Sequence, residues 1–268
     1  MVLADFPVNC TITSNEEVRG VTSLDNKLFV LRNAQRDQVD VYEKYDDYYG
    51  NPVEYYSVPG DHVWDITHNV GFGTVCISDY REREVYEVSL TDASLVDTLR
   101  VDNELRGLSV CNYNILVTCR HPSALVALDC RDLTINKKIL LDETIDLPWH
   151  AVQLSTGNFA VCHGSGTNME HRVCTVDRSG RIIRSFGSGS GSDKFQLNVP
   201  CHLAVDENDF IFVADCLNER VVLLTPKLNF VDYVIENMDS RPQRLYLDRN
   251  SKDLYVGKRN GDVVVIQL

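Results

Sequence analysis

Positive charge is scarce in this 268-residue chain: 26 Lys and Arg stand against 39 Asp and Glu, a net charge of −13. Such a protein repels nucleic acid and anionic lipid on average, although a local basic patch can override the mean. No stretch approaches the roughly 18 uninterrupted apolar residues of a membrane-spanning helix. The opening Met1–Pro7 segment has neither a basic n-region nor an apolar run of signal-peptide length. The nine cysteines are odd in number, scattered, and form no CxxC pair, which argues against a disulfide framework or a zinc-finger site. They are expected to be thiols in a reducing compartment, and the protein to be cytoplasmic. Asn9-Cys10-Thr11 fits a glycosylation sequon that is idle without a secretory route. HExxH, GxSxG, P-loop and EF-hand patterns are all missing, as is any helical periodicity of useful length. With 44% hydrophobic and 24% charged residues, the chain can nevertheless build a full core.

What the sequence does have is repetition. Apolar-x-apolar triplets begin at Val21, Trp64, Leu108, Val152, Leu203 and Leu245, in steps of 43, 44, 44, 51 and 42 residues. A second triplet follows each: Leu28–Val30, Val75–Ile77, Ile115–Val117, Phe159–Val161, Ile211–Val213 and Leu254–Val256. Third and fourth short strands complete most units, as in Val221–Leu224 and Phe230–Tyr233. Sets of four short strands every 40–45 residues or so are the signature of a β-propeller. The expected fold is all-β: one domain of six four-stranded blades over 1–268. Their approximate bounds are 16–58, 59–101, 102–141, 145–186, 195–236, and 240–268 with 9–14. The sixth unit stops after its third strand. Cys10–Gly20 parallels Thr98–Gly107, so residues 10–13 should supply the missing strand against 263–267 and remove an open edge. Gly187–Ser192, inside the long step, reads as a flexible linker.

The fifth unit resembles an NHL repeat. It carries Phe195, Pro200, Leu203-Ala-Val-Asp206, Val213-Ala-Asp215 and Asn218-x-Arg220, whereas the other units keep only the rhythm. The resemblance implies a six-bladed ring similar to the NHL domains of tripartite-motif proteins, which serve mainly as binding platforms. It also implies that Asp206, Asp215 and Arg220 are structural. A minority relative, the peptidyl-hydroxyglycine amidating lyase, is a metal-dependent enzyme on a similar ring. Fold alone does not choose between them.

In a propeller the starts of the inner strands and the loops joining second to third strands crowd one mouth of the central channel. Two residues before each anchor stand Arg19, His62, Arg106, His150, Cys201 and Gln243, a ring without a carboxylate. The adjoining loops add Arg32, Arg36, Arg81, Arg83, Arg120, His121, His163, Lys258 and Arg259, together with Asp37, Asp79, Asp215 and Asp262. His202 and Arg244 lie one residue off the ring. Two readings follow: a cationic mouth for an acidic peptide, phosphate or RNA backbone, or arginines that pair with those acids and clamp the blades. His62, His150 and Gln243 fall on alternate blades, as the lyase's metal-binding histidines do. Gln243 cannot replace an imidazole on zinc, although Cys201 or His202 offers a substitute from a neighbouring blade. Tyr42, Tyr45, Tyr48, Tyr49, Tyr55 and Tyr56 crowd the first unit's outer hairpin, as interface or as ordinary strand residues.

The expectation is a monomeric, non-catalytic scaffold without a cofactor. It would bind a protein or acidic peptide at the mouth through Arg19, Arg32, His62, Arg106, Arg120, His121, His150, His163, His202, Arg244, Lys258 and Arg259. RNA is disfavoured by net charge and a membrane is not expected. The alternative is a lyase using zinc or calcium, with His62 and His150 as ligands.

Overall fold

The computed structural model describes residues 6–33, 37–45, 48–69, 71–111, 113–166 and 170–268; Arg36 lies outside them. Six antiparallel sheets follow one another along the chain, each starting with its inner strand. The inner strands are Glu17–Leu24, Val63–Asn69, Glu104–Cys111, Pro148–Gln153, Pro200–Val205 and Pro242–Asp248. They pack in sequence around a central axis, the sixth against the first, so the ring is closed. Among the described residues a single 3-10 turn, Cys216–Asn218, is the only helix, and none is long and apolar enough to cross a membrane.

Closure follows the sequence. Val8–Ile12 is the outer strand of blade 6, pairing Cys10 with Val265, Thr11 with Val264 and Ile12 with Val263. Each second strand is buried on both faces, as its continuous apolar triplet demands, while outer strands such as Leu95–Arg100 are largely exposed. The core is therefore divided into six apolar clusters, one at each blade interface. Ile12, Val18, Leu28, Tyr255 and Val263 form the one that joins the last blade to the first.

Two expectations change. Gly187–Ser192 is not a free linker. Asn218 donates to the Gly191 carbonyl at 2.8 Å, and Arg220 to those of Ser192, Asp193 and Gln196 at 2.9, 3.3 and 2.9 Å. Asp215 holds Asn218 and Arg220 in place, each at 2.8 Å. The NHL-like residues of blade 5 thus act as one loop-pinning unit. The tyrosine cluster also divides: Tyr42 and Tyr56 are buried, Tyr49 bonds Tyr255 at 2.7 Å, and Tyr45, Tyr48 and Tyr55 are exposed.

Candidate functional site: the two ends of the central channel

A bulge near the start of each inner strand decides which side chains meet at the axis. The pairs beyond it are Val21–Val30, Ile66–Ile77, Leu108–Val117, Ala151–Val161, Leu203–Val213 and Leu245–Val256. All six second-strand triplets are in the expected register, but the inner anchors slip in two blades, to Ile66 from Trp64 and to Ala151 from Val152. Two residues before the true anchors stand Arg19, Trp64, Arg106, Trp149, Cys201 and Gln243. One residue before them stand Gly20, Asp65, Gly107, His150, His202 and Arg244. His62 therefore leaves the ring. It packs edge-on against Tyr80 and bonds Arg81 at 2.8 Å. A carboxylate, Asp65, does reach the channel, contrary to the sequence reading.

The ring that begins at Gly20 fills the waist. Asp65, His150, His202 and Arg244 are all buried there. The imidazoles of His150 and His202 stack with centroids 3.6 Å apart. A Cβ at Gly107 would lie 2.4 Å from His150 Cδ2 and 2.9 Å from the Trp149 carbonyl, so this position must lack a side chain for the histidine to fit. Each acceptor stitches its blade to the next. Leu108 N–H donates to Asp65 at 2.9 Å, Leu203 N–H to His150 Nδ1 at 3.4 Å, and Leu245 N–H to His202 Nδ1 at 3.3 Å. Arg244 spans the channel and donates to the carbonyls of Arg19, Gln243 and Trp64.

Those bonds decide the waist's chemistry. Since both Nδ1 atoms accept backbone N–H groups, each neutral ring carries its proton on Nε2. His150 Nε2 donates to the Leu108 carbonyl at 3.0 Å and His202 Nε2 to Asp65 at 3.2 Å. Burial, then the facing His202, pushes His150 down to about 3, and burial lowers His202 as well. Burial pushes the Asp65 carboxyl up, but His202, Arg244 and His150 together outweigh it and hold it down. Asp65, His150 and His202 do each bring a ligand atom within 4.8 Å of the others. They do not fit a zinc ion. A ligating imidazole donates through its other nitrogen, whereas here that nitrogen faces a donor, and the Arg244 guanidinium already stands 3.8 Å from Asp65. Calcium, which takes six or more oxygens, finds a single carboxylate.

Above the waist, the mouth is a stack of cations and indoles. Trp64 and Trp149 stack with centroids 5.6 Å apart. The guanidinium carbons of Arg106, Arg19 and Arg244 lie 4.6, 5.0 and 5.0 Å from the Trp64 centroid, and that of Arg120 lies 4.0 Å from Trp149. Arg19 and Arg106 keep 21% and 12% of their side-chain surface and pair with Glu17 and Glu104. Burial, and after it the charge of Arg244, pulls both arginines down, while those two glutamates pull them up.

The structure thus separates the twelve residues singled out by sequence. Arg19 and Arg106 share the mouth. His150, His202 and Arg244 form the waist beneath it. Arg32, Arg120, His163 and Lys258 are buried at the mouth ends of second strands. Arg32 bonds Asp40 and Tyr42, each at 2.9 Å, and the Gly261 carbonyl. Lys258 bonds Asp239 at 2.6 Å and Asp262 at 3.0 Å, and Arg120 donates to the Pro148 carbonyl at 3.0 Å. His62 is half-buried at the rim, and His121 and Arg259 are exposed on loops. Trp64, Trp149, Tyr80 and Asp65 were missed. Counting back through each hairpin from its second-strand triplet would have found the three that lie on inner strands.

The opposite end of the channel is open. A cavity of about 600 Å³ enters between the turns that join first to second strands, with His150 and His202 among its lining residues. Its wall carries Thr67, Ser109, Val152, Ala204 and Tyr246, one residue beyond the inner anchors. Asp206, Glu207, Asp209 and Asp248 lie toward the turns. Nothing in the sequence pattern points to it, because a void is a property of side-chain size around a closed ring.

No known protein family matches the chain by sequence, and no curated protein matches it. The chain is similar in fold to the WD40 β-propeller domain of Doa1, at TM-score 0.69 and 13% identity over 99% of this chain and 98% of that one. It is also similar to virginiamycin B lyase from Staphylococcus aureus, at TM-score 0.66 and 11% identity over 97% and 98%. A streptogramin B lyase aligns at TM-score 0.65 and 12% identity over 96% and 85%. At such identities the likeness defines the architecture, a six-bladed β-propeller, and nothing finer.

Proposed function

We propose that this protein is a non-catalytic binding platform whose mouth takes an acidic segment of a protein partner. The observation that carries this reading is the pair Arg19 and Arg106, partly exposed and held on the stacked indoles of Trp64 and Trp149. Two guanidiniums fixed over one opening, with the buried Arg244 beneath, repel one another, and an arriving carboxylate relieves that repulsion. Buried thiols such as those of Cys76, Cys119 and Cys162 suit action in a reducing compartment. The second reading, a metal-dependent lyase, draws on the Asp65, His150 and His202 cluster and on the lyases of similar fold. The donor groups facing both Nδ1 atoms and the neighbouring Arg244 weigh against it.

Binding of a fluorescent Glu- and Asp-rich peptide, with a neutral peptide and a single-stranded RNA as controls, tests the platform reading. The acidic peptide should bind and weaken as salt rises, and Arg19→Ala with Arg106→Ala should weaken it about tenfold or more. Preference for the RNA, or equal binding by the double variant, overturns it. Stoichiometric zinc in purified protein, lost in His150→Gln, would instead favour the lyase.

A further inference from the structure

We propose that the cavity opposite the mouth is a second binding site, for a small organic amine that also carries hydroxyl or amide groups. Its volume, about 600 Å³, lies inside the range of roughly 300–1,000 Å³ found for small-molecule pockets. It exists because the inner-strand residues Thr67, Ser109, Val152 and Ala204 that line it are small, Tyr246 being the one large member of this ring.

Two features of the lining choose the ligand. Thr67 is 6% exposed and lines the cavity, and its hydroxyl has no partner among the described residues. Beside it, His68 is fixed by Thr22. The Thr22 hydroxyl accepts His68 N–H at 3.2 Å and shares a second hydrogen bond with His68 Nδ1 at 3.0 Å. The ring's Nε2, a donor or an acceptor according to the tautomer, has no protein partner among the described residues. A hydroxyl and an imidazole nitrogen on blade 2 thus offer hydrogen bonds to a polar ligand atom, and a buried polar group left unmet is costly.

The carboxylates supply the charge. Asp206 accepts Asn208 N–H at 2.9 Å and Phe210 N–H at 2.7 Å; Asp209 accepts Ser155 N–H at 2.8 Å; and Asp248 accepts Asn250 N–H at 2.9 Å. These bonds fix the groups in place without neutralising them. Among the described residues no Lys or Arg stands within 4.0 Å of Asp206, Glu207, Asp209 or Asp248. Arg249, also in the lining, donates to the Val205 carbonyl at 3.4 Å. A cation carrying hydrogen-bonding groups meets both features, whereas an anion would meet the carboxylates unshielded.

Thermal shift and titration calorimetry with glucosamine and spermidine test this, with glucose and gluconate as neutral and acidic counterparts. Glucosamine should bind saturably and more tightly than glucose, and gluconate should not bind. Asp206→Asn with Asp248→Asn should raise the glucosamine Kd about tenfold or more, and Thr67→Val should raise it by a smaller factor. Arg19→Ala with Arg106→Ala should leave it unchanged, which separates this site from the mouth. If the rim double variant melts early, Glu207→Gln alone should still weaken binding. The proposal is overturned if neither amine binds, if gluconate binds as well as glucosamine, or if every rim variant binds like the parent. Spermidine binding without any glucosamine binding would also overturn it, since charge alone would then suffice.

Discussion

At one end of the channel, Arg19, Trp64, Arg106 and Trp149 alternate around the first four blades and close the opening. At the other, three of the same four strands contribute Thr67, Ser109 and Val152, and the channel stays open around about 600 Å³. Backbone geometry is shared, because every blade repeats one register. Side-chain volume and charge alone make one end a cationic plug and the other an acid-rimmed pocket. A propeller of net charge −13 thus concentrates its accessible cation–indole stack at a single face. The waist, where Asp65, His150, His202 and Arg244 are buried, insulates the two ends from each other.

Breaking the waist should have the largest effect. Arg244→Ala leaves the Asp65 carboxylate in the interior without its guanidinium and strips the carbonyls of Arg19, Gln243 and Trp64 of a donor. Removing one partner of a buried charge pair costs about 3–5 kcal/mol, which denaturant unfolding would read directly. Asp65→Asn in the same chain should restore part of the loss, since the unpaired charge disappears while its Leu108 acceptor remains. A loss below about 1 kcal/mol would show that the waist is hydrated and that the two ends communicate.

Acidification should act next. Burial lowers His150 to about 3 and His163 to about 4, and it lowers His202 and His68 as well. Unfolded histidines titrate near 6.5, so below that pH the unfolded chain binds protons that the folded chain refuses. The stability these rings contribute is complete above about pH 6.5 and drains away as pH falls toward 4 and then 3. The melting temperature should therefore drop steeply over that window. His150→Gln, which can still accept from Leu203 and donate to Leu108, should flatten the drop. His68→Gln should flatten it less, because His68 faces the open end. Equal effects would mean that water reaches the waist as freely as the pocket.

Much of this architecture could be read from the sequence, and the losses have identifiable causes. Six second-strand triplets fixed the blade count because those strands are buried on both faces and leave an unbroken apolar mark. The parallel between Cys10–Gly20 and Thr98–Gly107 located the closing strand, although Val8–Ile12 is an outer strand and mostly exposed. The inner strands were harder. In blade 2, Trp64-Asp65-Ile66 offers an apolar residue at both ends, so the pattern fits two registers, and the bulge that decides between them leaves no sign in composition. That slip placed His62 at the axis and hid Asp65. Pro200, Asp215, Asn218 and Arg220 were recognised as a motif, yet the work of the last three on the loop from Gly191 to Gln196 needed distances to see.

The smallest expected effect is also the sharpest test of the contrast. Thr22 and Thr67 occupy equivalent positions on adjacent blades, each one residue beyond its inner anchor. That of Thr22 is used twice, by the N–H and the ring of His68, whereas that of Thr67 is used by nothing among the described residues. Thr22→Val should cost about 1–2 kcal/mol, since it strips a buried backbone N–H and an imidazole of their partner. Thr67→Val keeps the shape and discards an unpaired hydroxyl, so stability should stay within about 0.5 kcal/mol of the parent. Unfolding of the two single variants in the same denaturant series makes the comparison free of extrapolation. A cost at Thr67 equal to that at Thr22 would mean that this hydroxyl is already engaged by the protein, and the open end would then lose the unpaired donor that makes it a pocket for a polar ligand and not merely a gap in the packing.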